Sequence, residues 1–207
     1  MLTIDNISIR FGNERVLEHF SCEVRRGEFV CIKGISGCGK SSLLKAIIGI
    51  VPIKKGKIEI NGKRMNEKTC TNVRKQTMYL PQELSFPCET INEFVTQIFK
   101  VDKTKNVQKC KDNLYENLSL LGLESELLDK RLSELSGGQR QRVTLAALAL
   151  LDKELWLLDE PTAALDERSR DLVVDFLLTQ QRKGRTIIAV SHDAAFATHC
   201  SKIIELG

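Results

Sequence analysis

Apolar and polar residues alternate in several segments near the start of the chain, a pattern typical of strands with one buried face. The alternation predicts two strands, over residues 2–10 and 15–24, joined by a short turn at Gly12 and Asn13. A third strand is predicted over residues 57–63, where the chain enters an Asn-Gly turn. These segments together predict a small N-terminal antiparallel β layer.

Other segments are continuously apolar, as in parallel strands that are buried on both faces. Five short runs have this character: EFVCIKG, QTMYL, LWLLDE, RTIIAVSH and KIIEL. Helical patterns fall between them, over residues 39–49, 137–151 and 167–182. Strands that alternate with helices predict an α/β core with a mostly parallel, doubly wound sheet.

Residues 89–135 depart from this alternation, because they have helical periodicity and no strand pattern. Two apolar stripes are visible in this segment, and the second ends near Gly122. The stripes consist of Ile91, Phe94, Val95, Ile98 and Phe99, and of Val107, Cys110, Leu114, Leu118 and Leu121. We interpret residues 89–135 as an α-helical subdomain inserted into a single domain, whose nucleotide-binding core comprises residues 1–88 and 136–207.

The composition is that of a globular domain and excludes several other classes of protein. The chain has 207 residues, of which 42% are hydrophobic, and its net charge of +4 is too small to argue for a nucleic-acid partner. Seven scattered cysteines without a CxxC pair encode neither a disulfide framework nor a zinc site, which favours a reducing compartment. The N-terminus lacks a signal-peptide pattern, and the longest apolar run, VTLAALALL, is too short to span a bilayer. We therefore expect a soluble protein.

The segment GISGCGKSS, residues 34–42, follows an apolar strand and begins a helix. It fits the pattern G-x-x-x-x-G-K-[ST], in which glycines let backbone N–H groups approach phosphate and the helix N-terminus adds positive potential. Lys40 can reach the β- and γ-phosphates, and the Ser41 hydroxyl can ligate Mg²⁺. The segment therefore predicts a nucleoside triphosphate site that includes Gly34, Ser36, Gly37, Cys38, Gly39, Lys40, Ser41 and Ser42.

Three motifs in the second half restrict the class of nucleotide-binding protein. They are LSELSGGQRQR at residues 132–142, LWLLDEPTAALD at 155–166 and VSHD at 190–193. With these motifs in this order, the chain resembles the ATP-binding cassette (ABC) ATPases over essentially its whole length. The resemblance implies a P-loop NTPase fold, ATP and Mg²⁺ as cofactors, and hydrolysis of ATP.

Ser136, Gly137 and Gly138 begin a predicted helix, so that a hydroxyl and free N–H groups point from a helix N-terminus. Taken alone, the motif is either a second anion site or an ordinary helix cap with flexible glycines. In the family that the chain resembles, this motif is called the signature and corresponds here to residues 135–139; two cassettes pair head to tail, and the signature of each faces the γ-phosphate held by the other. The resemblance implies that Ser136, Gly138 and Gln139 contact ATP held by a second copy, and that Asp166 lies at the dimer interface.

Two carboxylates, Asp159 and Glu160, follow a buried strand and reach the edge where ligands bind in open sheets. Asp159 is suited to hold Mg²⁺ through water, and Glu160 is suited to act as the general base on the attacking water. The resemblance implies that Gln82 contacts Mg²⁺ and this water, and that His192 contacts the γ-phosphate. It also implies that Phe11 stacks on adenine, whereas packing within the hairpin is the alternative.

The chain fits best as a stand-alone cassette that serves a separately encoded integral membrane permease. The apolar residues Leu84, Phe86 and Pro87, in the loop after Gln82, are the predicted contact with it. The protein would then be cytoplasmic and attached to the cytoplasmic face of the membrane through the permease. The alternative is a soluble ABC-type ATPase in assembly or repair. The cargo is chosen by the membrane subunit, so the sequence does not name it.

Overall fold

The computed structural model describes residues 1–84, 88–101 and 107–206, and it contains two β-sheets. The first is antiparallel, with the strand order β2-β1-β4-β5. Its strands are β1 (Leu2–Phe11), β2 (Glu14–Val24), β4 (Lys55–Ile60) and β5 (Lys63–Arg64). The turns at residues 12–13 and 61–62 connect neighbouring strands of this sheet. The predicted antiparallel layer is confirmed.

The second sheet is parallel and has the strand order β6-β7-β8-β3-β9. Its strands are β3 (Phe29–Lys33), β6 (Thr77–Leu80), β7 (Leu155–Asp159), β8 (Thr186–Val190) and β9 (Lys202–Glu205). All five predicted apolar runs form these strands. Because the strands are parallel, the loops that follow β3, β6, β7 and β8 meet at one edge of the sheet.

Seven α-helices and two short 3-10 helices connect the strands in the described part of the chain. The α-helices are α1 (Lys40–Ile47), α2 (Cys70–Gln76), α3 (Ile91–Val101), α4 (Val107–Leu120), α5 (Gly137–Ala149), α6 (Glu167–Arg182) and α7 (Ala194–Ala197). The 3-10 helices are Ser125–Asp129 and Leu132–Glu134. The periodic segments at 39–49, 137–151 and 167–182 correspond to α1, α5 and α6. Within the described residues, none of the helices combines the length and apolar character needed to cross a bilayer.

The parallel sheet separates two hydrophobic cores, because neighbouring residues of a strand point to opposite faces. On β7, Trp156 and Leu158 pack into the core formed with α3, α4, α5 and α6. Leu155 and Leu157 pack into the other core, which is formed with α1, α2 and the antiparallel sheet. β7 is fully buried along its length. The molecule is therefore a three-layered α/β structure, as the apolar runs predicted.

Helices α3 and α4 bury the apolar stripes that predicted them. Ile91, Val95 and Ile98 of α3 are buried, as are Leu114 and Leu118 of α4, and all join the core on one face of the parallel sheet. The side chains of residues 99 and 107 lie outside the described part of the structure. The boundaries of a separate helical subdomain at 89–135 stay a prediction, since these helices share a continuous core with the sheet.

Gly56 on β4 lies against a bulge in β1, where register shifts between Asp5 and Ser8. Its φ of +81° is left-handed, and a Cβ there would collide with the backbone oxygens of Asp5 and Asn6. Gly184, after α6, has a similar φ of +90°, but open space surrounds its Cα. A side chain at Gly184 would therefore cause backbone strain alone, whereas a side chain at Gly56 would cause both backbone strain and a steric collision.

We predict that Gly184→Ala lowers the free energy of unfolding by about 1 kcal/mol, the usual cost of a left-handed residue with a Cβ. Gly56→Ala pays the same strain and in addition forces β1 and β4 apart, which should cost a further ~2 kcal/mol. Urea unfolding followed by circular dichroism measures both losses. Equal losses for the two variants would contradict the close approach of β1 and β4.

Candidate functional site

The loop between β3 and α1 is shaped around the ammonium group of Lys40. Lys40 is buried, and its Nζ donates hydrogen bonds to the backbone oxygens of Gly34 at 2.8 Å and Ile35 at 2.9 Å. Gly39 has a φ of +95° and lies so close to Val16 that a Cβ would come within 2.7 Å of Val16 Cγ1. The loop thus holds a positive charge beside the N-terminus of α1, which is an environment that attracts phosphate.

The Cys38 side chain packs against Gly34 and the hydrophobic core. A Cβ at Gly34 would lie 2.6 Å from Cys38 Sγ, and the thiol packs against the core that includes Leu206. Cys38 is half-buried and does not line the cavity above the loop. Its predicted part in nucleotide binding therefore rests on its backbone, not on its thiol.

Asp159 ends β7 and is 2% exposed. Its Oδ1 accepts a hydrogen bond from the Ser41 hydroxyl at 2.9 Å, and its Oδ2 accepts one from the Tyr79 hydroxyl at 3.5 Å. Burial raises the pKa of Asp159, and the hydrogen bond from Ser41 opposes this rise. Burial, together with the neighbouring carboxylate, also raises the pKa of Tyr79, so that its hydroxyl stays protonated and can donate. The carboxylate is held at the junction of the phosphate loop and the sheet.

Glu160 follows in a left-handed conformation, with a φ of +51°. Its side chain is 8% exposed, and Oε1 lies 2.9 Å from His192 Nδ1, while Oε2 accepts the backbone N–H of His192 at 3.4 Å. The backbone of Glu160 is fixed at both ends: its N–H donates to Val190 O at 2.9 Å, and its carbonyl accepts from Gln141 Nε2 at 2.8 Å. These contacts hold a carboxylate at the cavity with one defined orientation.

One cavity of about 680 Å³ brings most of the predicted site together. Phe11 lines it and is 49% exposed, so this residue is accessible at the cavity and is not buried in the hairpin. Gln82, in the bend after β6, is exposed and lines the same cavity. The predicted residues that line it are Phe11, Gly34, Ser36, Gly37, Gly39, Lys40, Ser41, Ser42, Gln82, Asp159, Glu160 and His192.

The signature residues lie outside the cavity that contains Lys40 of the same chain. Ser136 caps α5: its Oγ accepts the N–H of Gln139 at 3.1 Å, and Gln139 Oε1 accepts the N–H of Ser136 at 3.0 Å. Asp166 caps α6 by accepting the N–H of Ser169 at 2.7 Å, and this bond lowers the pKa of Asp166. Ser136, Gly138, Gln139 and Asp166 do not line the cavity that contains Lys40. Their predicted contact with nucleotide would require a second chain.

The side chains near Lys40 offer oxygen atoms, which are the type of ligand that Mg²⁺ prefers. The Ser41 hydroxyl and the Asp159 carboxylate lie within 2.9 Å of each other, and the amide of Gln82 lines the same cavity. Mg²⁺ prefers six oxygen ligands and takes several of them from phosphates and water. In the described ranges, no group of three His, Cys, Asp or Glu side chains is placed to hold a metal ion. The site thus offers a partial oxygen set that a bound triphosphate and water would complete.

Tyr79 and Gln141, which hydrogen-bond to Asp159 and to the backbone of Glu160, were not predicted, and neither were the cavity-lining residues Glu14, Val16, Ile35 and Val190. Tyr79 lies within an apolar strand, where an aromatic residue indicates only packing. Gln141 is 7% exposed and lies on the apolar side of α5, four residues before the buried Leu145. A polar residue on an apolar stripe indicates a buried hydrogen bond, but its partner depends on the tertiary fold.

A family model described as ABC transporter matches residues 17–163. A choline transport ATP-binding protein (OpuBA) of Bacillus subtilis is 33% identical over 196 residues, covering 93% of this chain and 51% of the relative. The chain thus spans about half the length of that relative. A glutamate/aspartate import ATP-binding protein (GltL) of Escherichia coli is 34% identical over 204 residues, covering 95% of this chain and 83% of the relative.

Solved structures share the fold across the whole chain. A dimeric post-hydrolysis state of the ATP-binding cassette MJ0796, bound to ADP and Pi, matches with a TM-score of 0.88 and 28% identity, covering 100% of this chain and 94% of that one. A bacterial Atm1-family ABC exporter with ATP bound matches with a TM-score of 0.87 at 24% identity, covering 100% of this chain and 36% of that one, which is a likeness of fold alone.

We predict that Lys40→Ala weakens binding of a fluorescent nucleoside triphosphate by about 10- to 100-fold, because hydrogen bonds to a charged group contribute ~1.5–3 kcal/mol. The exposed Lys54 provides the control, since Lys54→Ala removes a lysine outside the cavity and should leave binding unchanged. A fluorescence titration measures both. Similar affinities for the two variants would show that the phosphate loop is not where the nucleotide binds.

Proposed function

Since the chain belongs to the ABC transporter family, we propose that it is the ATP-binding subunit of a transporter, which binds and hydrolyses ATP with Mg²⁺. The observation that carries this proposal is that one cavity contains Lys40, Asp159 and Glu160, with His192 against the Glu160 carboxylate. A cation for phosphate, a carboxylate for the metal and a second carboxylate for water are what phosphoryl transfer to water requires.

Lys40 can hold the phosphate loop and the nucleotide together. Its Nζ donates hydrogen bonds to the carbonyls of Gly34 and Ile35. An ammonium has three donors, so a donor remains for the β- and γ-phosphates. Phe11 offers its exposed ring to the adenine base. Ser41, Asp159 and Gln82 would hold Mg²⁺, which neutralises charge on the phosphates when it is bound.

Glu160 takes the proton from the attacking water. Its carboxylate is buried and its orientation is fixed by His192 through Oε1 and by the backbone N–H of His192 through Oε2. The His192 side chain is 69% exposed, so it can also reach a γ-phosphate in the cavity. A fixed general base of this kind contributes about 10²- to 10⁴-fold to a rate.

Two copies of the chain are needed to complete each site. Ser136, Gly138 and Gln139 form a helix N-terminus that lies outside the cavity of their own chain, and such an end favours an anion. A head-to-tail homodimer would place this end of one copy against the triphosphate held by the other, with Asp166 at the interface. The dimeric cassettes among the similar structures support this arrangement.

The membrane partner is a separately encoded permease, and the chain would sit at the cytoplasmic face of the membrane. Relatives that are named as transport and import ATP-binding proteins support this assignment. Leu84, the first apolar residue of the predicted docking loop, is half-buried and packs against the core beside α3. Phe86 and Pro87 lie outside the described residues. Residues 89–135 would act as the helical subdomain that receives the permease.

We predict that Glu160→Gln keeps nucleotide affinity but lowers ATP turnover by about 100- to 10,000-fold, since it removes the general base. The variant should accumulate as an ATP-bound dimer, which light scattering detects as a doubling of mass with Mg·ATP. Glu154→Gln is the matched control, because Glu154 precedes the opposite end of β7 and is half-exposed. A monomeric Glu160→Gln with normal turnover would overturn the composite site.

The transporter assignment is tested by capturing a tagged chain from detergent-solubilised membranes of cells that express it. Recovery of a polytopic membrane protein with the chain, together with ATPase activity that responds to this protein, is the expected result. Recovery of ATPase activity with soluble partners alone would instead favour an assembly or repair ATPase.

A further inference from the structure

Gln141 is a buried amide that joins the helix after the signature to the backbone of Glu160. It lies in the second turn of α5, is 7% exposed, and donates from Nε2 to the carbonyl of Glu160 at 2.8 Å. This length is that of a well-formed hydrogen bond. Gln141 does not line the cavity, so it acts on the site only through Glu160.

This bond bears on a residue whose backbone is in an unfavourable region. Glu160 has a φ of +51°, a conformation that a residue with a Cβ adopts only when its surroundings enforce it. Its N–H is tied to Val190 on β8, whereas its carbonyl is tied to Gln141 on α5. The direction of the carboxylate therefore depends on the position of α5 as well as on the sheet.

The same helix begins at the signature. Ser136 and Gln139 form a reciprocal cap at its first turn, and Gly138 packs so closely against the segment before α6 that a Cβ would lie 3.0 Å from Leu165. An α-helix transmits a displacement of its first turn along its length as a rigid unit. A shift of α5 on engaging a triphosphate would thus reach Glu160 within about one turn, through Gln141.

We propose that Gln141 is a positioning residue that couples the two ATP sites of the dimer. The inference rests on the proposed homodimer, in which the signature of a chain contacts ATP bound by the other copy while its Glu160 acts on its own ATP. Engagement of the signature by the partner's ATP sets α5, and Gln141 then aligns Glu160 for hydrolysis. The rate of hydrolysis at each site thereby depends on whether ATP is bound at the other site.

The decisive variant is Gln141→Met, which keeps the volume of the side chain but lacks the donor. We expect kcat to fall by about 10- to 100-fold, as for a catalytic group displaced by ~1 Å, while KM and nucleotide affinity stay nearly unchanged. The dependence of rate on ATP concentration should lose its sigmoidal form. Gln141→Glu, which sets an acceptor against the Glu160 carbonyl, should be the slower variant of the two.

Asn117→Leu provides the matched control. Asn117, on α4, is also buried and also donates from its amide to a backbone carbonyl of α5, Ala146 O, at 3.1 Å, but this bond does not involve Glu160. Its loss should lower thermal stability to a similar extent and leave both kcat and the sigmoidal dependence intact. If Gln141→Met merely reproduces the Asn117→Leu result, the coupling role is overturned.

The double variant Glu160→Gln, Gln141→Met distinguishes this inference from the function on which it rests. We expect it to form the ATP-bound dimer, because the bond acts after dimer formation and on hydrolysis alone. A wild-type chain that neither dimerises nor hydrolyses ATP would overturn the proposed function and this inference together. A wild-type chain that hydrolyses ATP cooperatively, with Gln141→Met equally cooperative, would overturn the inference alone.

Discussion

A strand that is buried on both faces can carry charge only where it ends, because a carboxylate inside the sheet would be desolvated without compensation. β7 is such a strand, with every residue buried from Leu155 to Asp159. The two acidic residues accordingly lie at its carboxyl end, where Asp159 ends β7 and Glu160 follows it, and where the loops after β3, β6 and β8 converge. The remaining chemistry is arranged around that end: Ser41 and Tyr79 contact Asp159, and His192 contacts Glu160.

The site draws on all three layers of the molecule. The antiparallel sheet supplies Phe11 at the end of β1, the parallel sheet supplies both carboxylates, and the helical layer supplies Gln141. No single layer holds a complete site. Any motion of one layer relative to another therefore changes the distances among the groups that surround the cavity, which gives a partner bound at one layer a physical means of altering catalysis.

Most of the fold could be predicted from the sequence, because its signals are local. The apolar runs that form β3, β6, β7, β8 and β9 and the phosphate loop that ends in Lys40 depend on neighbouring residues only. Helix α2 escaped prediction because it has seven residues, of which only Val73 is buried, so it has no apolar stripe. The β1 bulge opposite Gly56 escaped because it depends on strand pairing.

The site residues also divide into those that a local pattern predicts and those that depend on the tertiary fold. Glycines, Lys40 and the acidic pair lie in short motifs, whereas the partner of Gln141 is set by packing between distant segments. The packing of the Cys38 thiol likewise depends on its contact with Gly34 and with the core that includes Leu206. Such contacts join residues that are distant in the sequence, so no local pattern predicts them.

The caps of α5 and α6 differ in whether they can donate a hydrogen bond: Ser136 caps α5 with a hydroxyl, and Asp166 caps α6 with a carboxylate. Asp166 and Ser136 each accept an N–H from three residues on, so an aspartate would begin α5 as well as a serine does. A carboxylate cap, however, can only accept hydrogen bonds, and its negative charge repels an anion. A hydroxyl cap accepts from its helix and still has a hydrogen to give. Ser136 can thus cap its own helix and donate to an anion at the same time. Folding of α5 would accept either serine or aspartate at this position, whereas binding of an anion requires the serine.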